Sequence, residues 1–214
     1  YDSYNTAITG ASFTWTTNVG SVDANGWFTA QTTPGSGTVT ATSGSISGVA
    51  SITVVVGALD YIDINPDNII ITVGGTQIFT ASAHDAYGNV IAGIGFTWIT
   101  NVGSIIAGTY TAQTTPGTGT VTVSNGTVSA IANVQVVAGG IDHITVAPTT
   151  LTIVVGNTQA FSATAYDVYN NIISSASFTW TTNVGAIASS GLFTAHLTPG
   201  LGTVTATSGL IYGT

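Results

Sequence analysis

Few side chains here are equipped for acid–base or metal chemistry: three His and eight Asp, with no Glu, Lys, Arg or Cys in 214 residues. His84, His143 and His196 would have to converge on one point to hold a transition metal. Calcium asks for about six to eight oxygens, mostly from carboxylates and backbone carbonyls. Asp60, Asp85, Asp142 and Asp167 are the calcium candidates, Asp60 or Asp142 sharing an ion with a turn Asp from a neighbouring segment and stiffening the joint. The competing reading is an Asp that starts a turn by bonding its own backbone.

Hydrolytic chemistry has little support. Ser and Thr are plentiful, but no Gly-x-Ser-x-Gly elbow joins a strand to a helix, and no helical periodicity competes with the strand pattern. Without Glu, the carboxylate pair of a glycosidase reduces to Asp60 and Asp63, two outward positions beside one strand. The chain reads as a non-enzyme, with calcium its one candidate cofactor.

The elements that must position these residues come in copies. Phe-Thr-Trp-x-Thr-Asn-Val-Gly occurs three times, around Trp15, Trp98 and Trp180, at spacings of 83 and 82 residues. Self-similarity at a fixed period means one structural unit repeated, and this period suits a β-sandwich of roughly 100 residues. Aligning the copies pairs His84 with Tyr1 and Tyr166, His143 with Tyr61, and His196 with Gln31 and Gln113. Each histidine therefore stands where a sister copy has different chemistry, which suits a surface or strand-face residue better than a ligand. The carboxylates behave otherwise. Asp60 and Asp142 recur at the entry of successive copies, and Asp2, Asp85 and Asp167 recur in an Asp-x-Tyr turn.

A net charge of −8 without a single Lys or Arg makes nucleic acid and anionic membranes poor partners. An apolar fraction of 44% supports a packed core rather than disorder. No apolar run approaches the ~18 residues that span a bilayer, so membrane insertion is not expected of this segment. Zero Cys rules out a disulfide framework. The absence of Met and of a basic, apolar leader suggests a mature or excised segment.

The middle copy can be read strand by strand. Tyr61–Asn65, Ile69–Val73, Thr76–Ala83, Gly95–Thr100, Thr109–Gln113, Thr118–Ser124 and Ala130–Val137 are separated by turn signals such as Gly74-Gly75, Pro116-Gly117 and Asn125-Gly126. Seven short strands around a central Trp predict an antiparallel sandwich, with Trp98 dry between two sheets beside Phe79, Phe96, Val121 and Val134.

These residues resemble the bacterial immunoglobulin-like domain, group 2. The resemblance lies in Phe-Thr-Trp, in Gly26-Trp27-Phe28-Thr29-Ala30 and Gly191-Leu192-Phe193-Thr194-Ala195, and in the following Pro-Gly-x-Gly-Thr-Val-Thr; the Asp85–Asn89 turn is similar to that of intimin and invasin type adhesin repeats. It covers essentially the whole chain and implies tandem immunoglobulin-like sandwiches serving as stalks, spacers or adhesive tips of prokaryotic surface proteins. The middle copy departs from the pattern at Gly108-Thr109-Tyr110, where its loop is one residue shorter.

The expected organisation is a partial domain over residues 1–57 lacking its first strands, a complete one over 58–139, and a third over 140–214 lacking its last strand. The links Val56-Gly57-Ala58 and Ala138-Gly139-Gly140 should permit bending unless neighbouring copies pack against them. Trp27 is a candidate glycan or subunit contact, since its counterparts are Thr109 and Leu192, and Asn125-Gly126-Thr127 is an N-glycosylation acceptor in a predicted turn. Together these readings point to an extracellular structural protein that self-associates into a filament, fibre or surface layer. An adhesin stalk and a glycan-binding module are the alternatives.

Overall fold

A computed structural model describes all residues from Tyr1 to Thr214 and contains strands but no helix. The first copy forms β1 (Thr14–Thr17), β2 (Ser21–Val22), β3 (Phe28–Thr29), β4 (Gly35–Ser43) and β5 (Ile46–Val54). The middle copy forms β6 (Tyr61–Asn65), β7 (Asn68–Thr72), β8 (Thr76–Ile78), β9 (Thr80–His84), β10 (Thr97–Thr100), β11 (Ser104–Ile106), β12 (Thr109–Thr111), β13 (Gly117–Asn125) and β14 (Val128–Val137). The third forms β15 (His143–Ala147), β16 (Thr158–Ala160), β17 (Ser162–Tyr166), β18 (Thr179–Thr182), β19 (Ala186–Ile187), β20 (Leu192–Thr194), β21 (Val204–Ser208) and β22 (Ile211–Gly213).

Every sheet draws its strands from one copy. The middle copy has a sheet ordered β10-β13-β14-β7, a second ordered β11-β12-β8, and the pair β6-β9; the third repeats this with β18-β21-β22, β16-β20-β19 and β15-β17. In the first copy the sheets are β1-β4-β5 and β2-β3. The chain divides into two compact units, one of Tyr1–Asn65, Thr80–Thr97 and Val123–Ala130, the other of Pro66–Phe79, Trp98–Thr122 and Ile131–Thr214. Each unit contains one junction between successive copies.

Three expectations about the strands need correction. The run Thr76–Ala83 is two strands, because at Phe79 the backbone N–H turns to the Gly108 carbonyl, 2.8 Å away. An additional strand, β11, forms the hairpin partner of β12. The sandwich is also not wholly antiparallel, since β7 pairs in parallel with β14, Ile69 opposite Val134 and Ile71 opposite Val136. The Pro66-Asp67 break is responsible: it ends β6, which pairs with β9, and lets the chain cross to the other sheet.

The tryptophans sit differently from expectation as well. Trp15, Trp98 and Trp180 are half-buried. Their strands β1, β10 and β18 lie at sheet edges, so an inward-facing indole there reaches the rim of the core instead of its centre. Each ring covers a turn glycine, Gly26, Gly108 or Gly191, with φ of +85°, +84° and +82°. A Cβ on Gly26 would come within 2.8 Å of the Trp15 ring, so sterics as well as φ select glycine. The dry centre of the second unit is instead Tyr110, Val121, Val134 and Val136, with Phe79 edge-on to Tyr110 at 6.1 Å and Phe161 edge-on to Phe193 at 6.0 Å.

The rest of the repeated phrase is a strand lock. Thr100 Oγ1 donates to the Thr120 carbonyl at 2.8 Å while Asn101 Oδ1 accepts the Thr120 N–H at 2.7 Å, tying the end of β10 to β13. Thr17 and Asn18 hold Thr38 in the same way, and Thr182 and Asn183 hold Thr203. Three recurrences of Thr-Asn-Val-Gly thus have a structural cause.

Candidate functional site

The most heavily bonded polar groups sit where one copy meets the next. Asp85 starts a five-residue turn in which its Oδ1 accepts the N–H of Tyr87 and of Asn89, both at 2.9 Å. Its backbone N–H pairs with the Asn89 carbonyl, and Gly88 supplies the φ of +80° that closes the loop. Such a turn is local, set by an Asp and a residue tolerant of positive φ.

What it does with its remaining groups is not local. Asp85 Oδ2 accepts the N–H of Gly57, from the link before it, at 2.8 Å. The Asn89 amide donates to both Asp85 oxygens, at 3.1 and 2.9 Å, and to the carbonyl of Thr32 in the first copy at 2.7 Å. The second junction repeats the pattern. Asp167 Oδ2 accepts Gly139 N–H at 2.9 Å, and the Asn171 amide donates to the Thr114 carbonyl at 2.8 Å. There Tyr169 also lies over Gly74, whose added Cβ would come within 2.6 Å of the phenol oxygen. Asp85 is 2% exposed and Asp167 is fully buried.

Donors of this number favour the ionised carboxylate. The Asn89 amide contributes most at Asp85, followed by the Gly57 N–H, and its pKa falls to about 2. At Asp167 burial pushes upward most strongly, but the Asn171 amide and the Gly139, Asn171 and Tyr169 N–H groups outweigh it and bring the pKa to about 2. Both link glycines are therefore held by a buried anion, and the bending expected of them is opposed by these contacts.

The other carboxylate candidates lie apart. Asp60 and Asp142 are exposed and offer backbone N–H groups to the carbonyls of His84 and Tyr166. No three His or Asp side chains come together in a metal-holding group. At Asp85 and Asp167 hydrogen bonds tie the joint.

The histidines fall on strand faces or loops. His84 stacks on its cross-strand neighbour Tyr61 at 4.8 Å, and His143 stacks on Tyr166 at 5.1 Å, so the two copies hold the same ring pair with the strands exchanged. Ser82 Oγ lies 2.9 Å from His84 Nε2, but Asp63 approaches that same nitrogen at 3.4 Å while Nδ1 faces the Gly88 carbonyl. A triad requires the acid on the nitrogen opposite the nucleophile, so this cluster lacks the relay arrangement. His196 is exposed and borders a cleft of about 720 Å³ flanked by Leu151, Val155 and Phe193.

Trp27 is 77% exposed, directly after the Asp23–Gly26 turn, at a position that also faces outward as Thr109 and Leu192 in the other copies. Asn125 is half-buried at the end of β13, where its amide donates to the Gly95 carbonyl at 2.8 Å. Glycosylation there would replace that bond. Tyr110, fully buried, leaves its hydroxyl without a partner, whereas its counterparts Phe28 and Phe193 carry none.

The sequence reading missed Asn89, Asn171, Gly57 and Gly139 as partners in the junction. Their signal was available: each pair lies 82 residues apart and keeps its identity.

No family model matches the chain, and no curated protein matches it. Solved structures do. The fold is immunoglobulin-like. FdeC, an Escherichia coli adhesin, superposes with a TM-score of 0.52 at 18% identity, over 97% of this chain and 84% of that one. Invasin, a bacterial integrin-binding protein, gives 0.51 at 22% identity, over 96% of this chain and 51% of that one. The extracellular cadherin domains 1–4 of protocadherin gamma B7 give 0.55 at 10% identity, over 96% and 66%. At such identities the similarity establishes tandem β-sandwich architecture and nothing finer.

Proposed function

We propose that this chain is an extracellular, cell-surface structural protein, a repetitive subunit that spans distance and self-associates into a filament, fibre or surface layer. The observation that carries the reading is the clasp at Asp85, built again at Asp167 with equivalent partners at nearly equal distances. A buried carboxylate that ties a link glycine and, through Asn, the preceding copy's loop resists bending. That is what a load-bearing spacer needs and a flexible linker lacks. We place the domain boundaries at residues 57–58 and 139–140, supported by the confinement of every sheet to one copy. Assignment to the bacterial immunoglobulin-like group 2 domains rests on the motifs quoted above.

An adhesin stalk is the second reading, favoured by the similarity in fold to FdeC and invasin. Electron microscopy of the native, full-length material separates the two. Extended assemblies built from many copies support the first; single molecules ending in a different, non-repeated tip domain sink it in favour of the stalk. A glycan-binding role would show as loss of polysaccharide retention in Trp27→Ala.

A further inference from the structure

We propose that the cleft of the third copy is a receiving site for a β-strand, the occupant being an extended segment with the small-apolar alternation of β14. The middle copy shows how such a strand is held. There β14 lies between β13 and β7 and runs parallel to β7, with Val134 opposite Ile69 and Val136 opposite Ile71. Its Ala132, Val134 and Val136 are 0%, 2% and 2% exposed, while Asn133 and Gln135 between them face outward. In the third copy Leu151–Val155 are the counterparts of Ile69–Val73, yet they pair with no strand. The three residues of β22 correspond only to Val128–Ala130, the beginning of the course that β14 takes. Beside the rest of that course lies the cleft of about 720 Å³, bordered by Leu151, Ile153, Val155 and Val204.

The lining of the cleft records what would cover it. Phe161, Val184, Ala195 and Val204 are half-buried, whereas their counterparts Phe79, Val102, Ala112 and Val121 in the middle copy are all buried. An extended backbone segment beside such apolar surface is a template for another strand: main-chain hydrogen bonds supply affinity, and pockets for alternate side chains supply specificity. The occupant's inward side chains must be small and uncharged. β14 places Ala, Val and Val there, and a carboxylate would be buried without any Lys or Arg to meet it. The same pattern recurs in β5 as Ala50, Ile52 and Val54, so the strand that fits is one of the repeat's own kind. This site does not depend on the filament reading above.

The test adds a synthetic peptide with the sequence Ser129–Ala138, carrying extra Asp residues outside the strand for solubility, to the full chain at concentrations where sedimentation velocity shows it monomeric. The control is the same peptide with Val134→Asp and Val136→Asp, so the chain itself is left unaltered. Hydrogen exchange at the Leu151–Val155 amides should slow at least about tenfold with the first peptide and stay unchanged with the second. Val155→Asp in the chain, its fold checked by circular dichroism, should weaken binding of the labelled first peptide at least about tenfold in fluorescence anisotropy. No saturable binding, equal binding of the two peptides, or protection gained along β5 instead of Leu151–Val155 overturns the inference. A chain that forms no filaments yet passes these tests overturns the filament reading alone; one that forms filaments and fails them overturns only the strand site.

Discussion

The turn at Asp2 and the turn at Asp85 are the same object in two settings. In both, Oδ1 accepts the N–H groups two and four residues on, the backbone closes between the first and fifth residues, and the fourth takes positive φ. At Asp2, Thr6 stands where Asn89 stands in the middle copy, so no asparagine amide reaches this carboxylate. At Asp85 a link glycine and an asparagine amide take up Oδ2 and bury the group. A short motif therefore makes the turn, whereas the contact to the preceding copy's loop also needs Asn at the fifth position, which the middle and third copies have as Asn89 and Asn171.

The largest effect that would break this comparison is expected from Asp167→Ala beside Asp2→Ala. Removing Asp167 strands the N–H groups of Gly139, Tyr169 and Asn171 around a buried site, so the unfolding midpoint should fall by at least ~5 °C, against less than ~2 °C for Asp2→Ala. Equal shifts would mean that the turn, not the clasp, carries the stability.

Acid should act next. Asp85 and Asp167 have folded pKa values of about 2, below the unfolded value of about 3.9, so their contribution is complete above roughly pH 4 and is lost as pH falls through about 2. Hydrogen exchange at the Gly57 and Gly139 amides, followed from pH 5 downward and corrected for intrinsic rates, should lose protection in that window. Protection unchanged to pH 2 would show that these N–H groups are held by something other than the ionised carboxylates.

The smallest effect sharpens the role of the fifth residue. Asn171→Thr gives the third copy the residue found at Thr6, removing the bond to Thr114 while keeping the turn. A loss of about 1 kcal/mol in denaturant unfolding is expected, with the Asp167 pKa rising toward the ordinary carboxylate range. No change in either would make the asparagine incidental.

Much of the architecture was legible without coordinates. The 83- and 82-residue spacings, alternating strands and Gly- or Pro-marked turns gave the all-β tandem sandwich, because strand patterning and turn chemistry are short-range properties. The edge placement of Trp98, the parallel pairing of β7 with β14 and the splitting of Thr76–Ala83 at Phe79 were not legible, since each depends on which strand ends up beside which.

The candidate site divides along the same line. By itself the sequence determined the Asp-x-Tyr turn, whose carboxylate reaches only its own next few N–H groups, and the absence of any cationic partner for eight carboxylates. Only the tertiary structure decided that Asp85 Oδ2 meets Gly57, 28 residues earlier, and that Asn89 reaches Thr32, 57 residues earlier. Hydrogen bonds act over about 3 Å, and a linear pattern carries no record of which distant backbone groups folding brings within that reach.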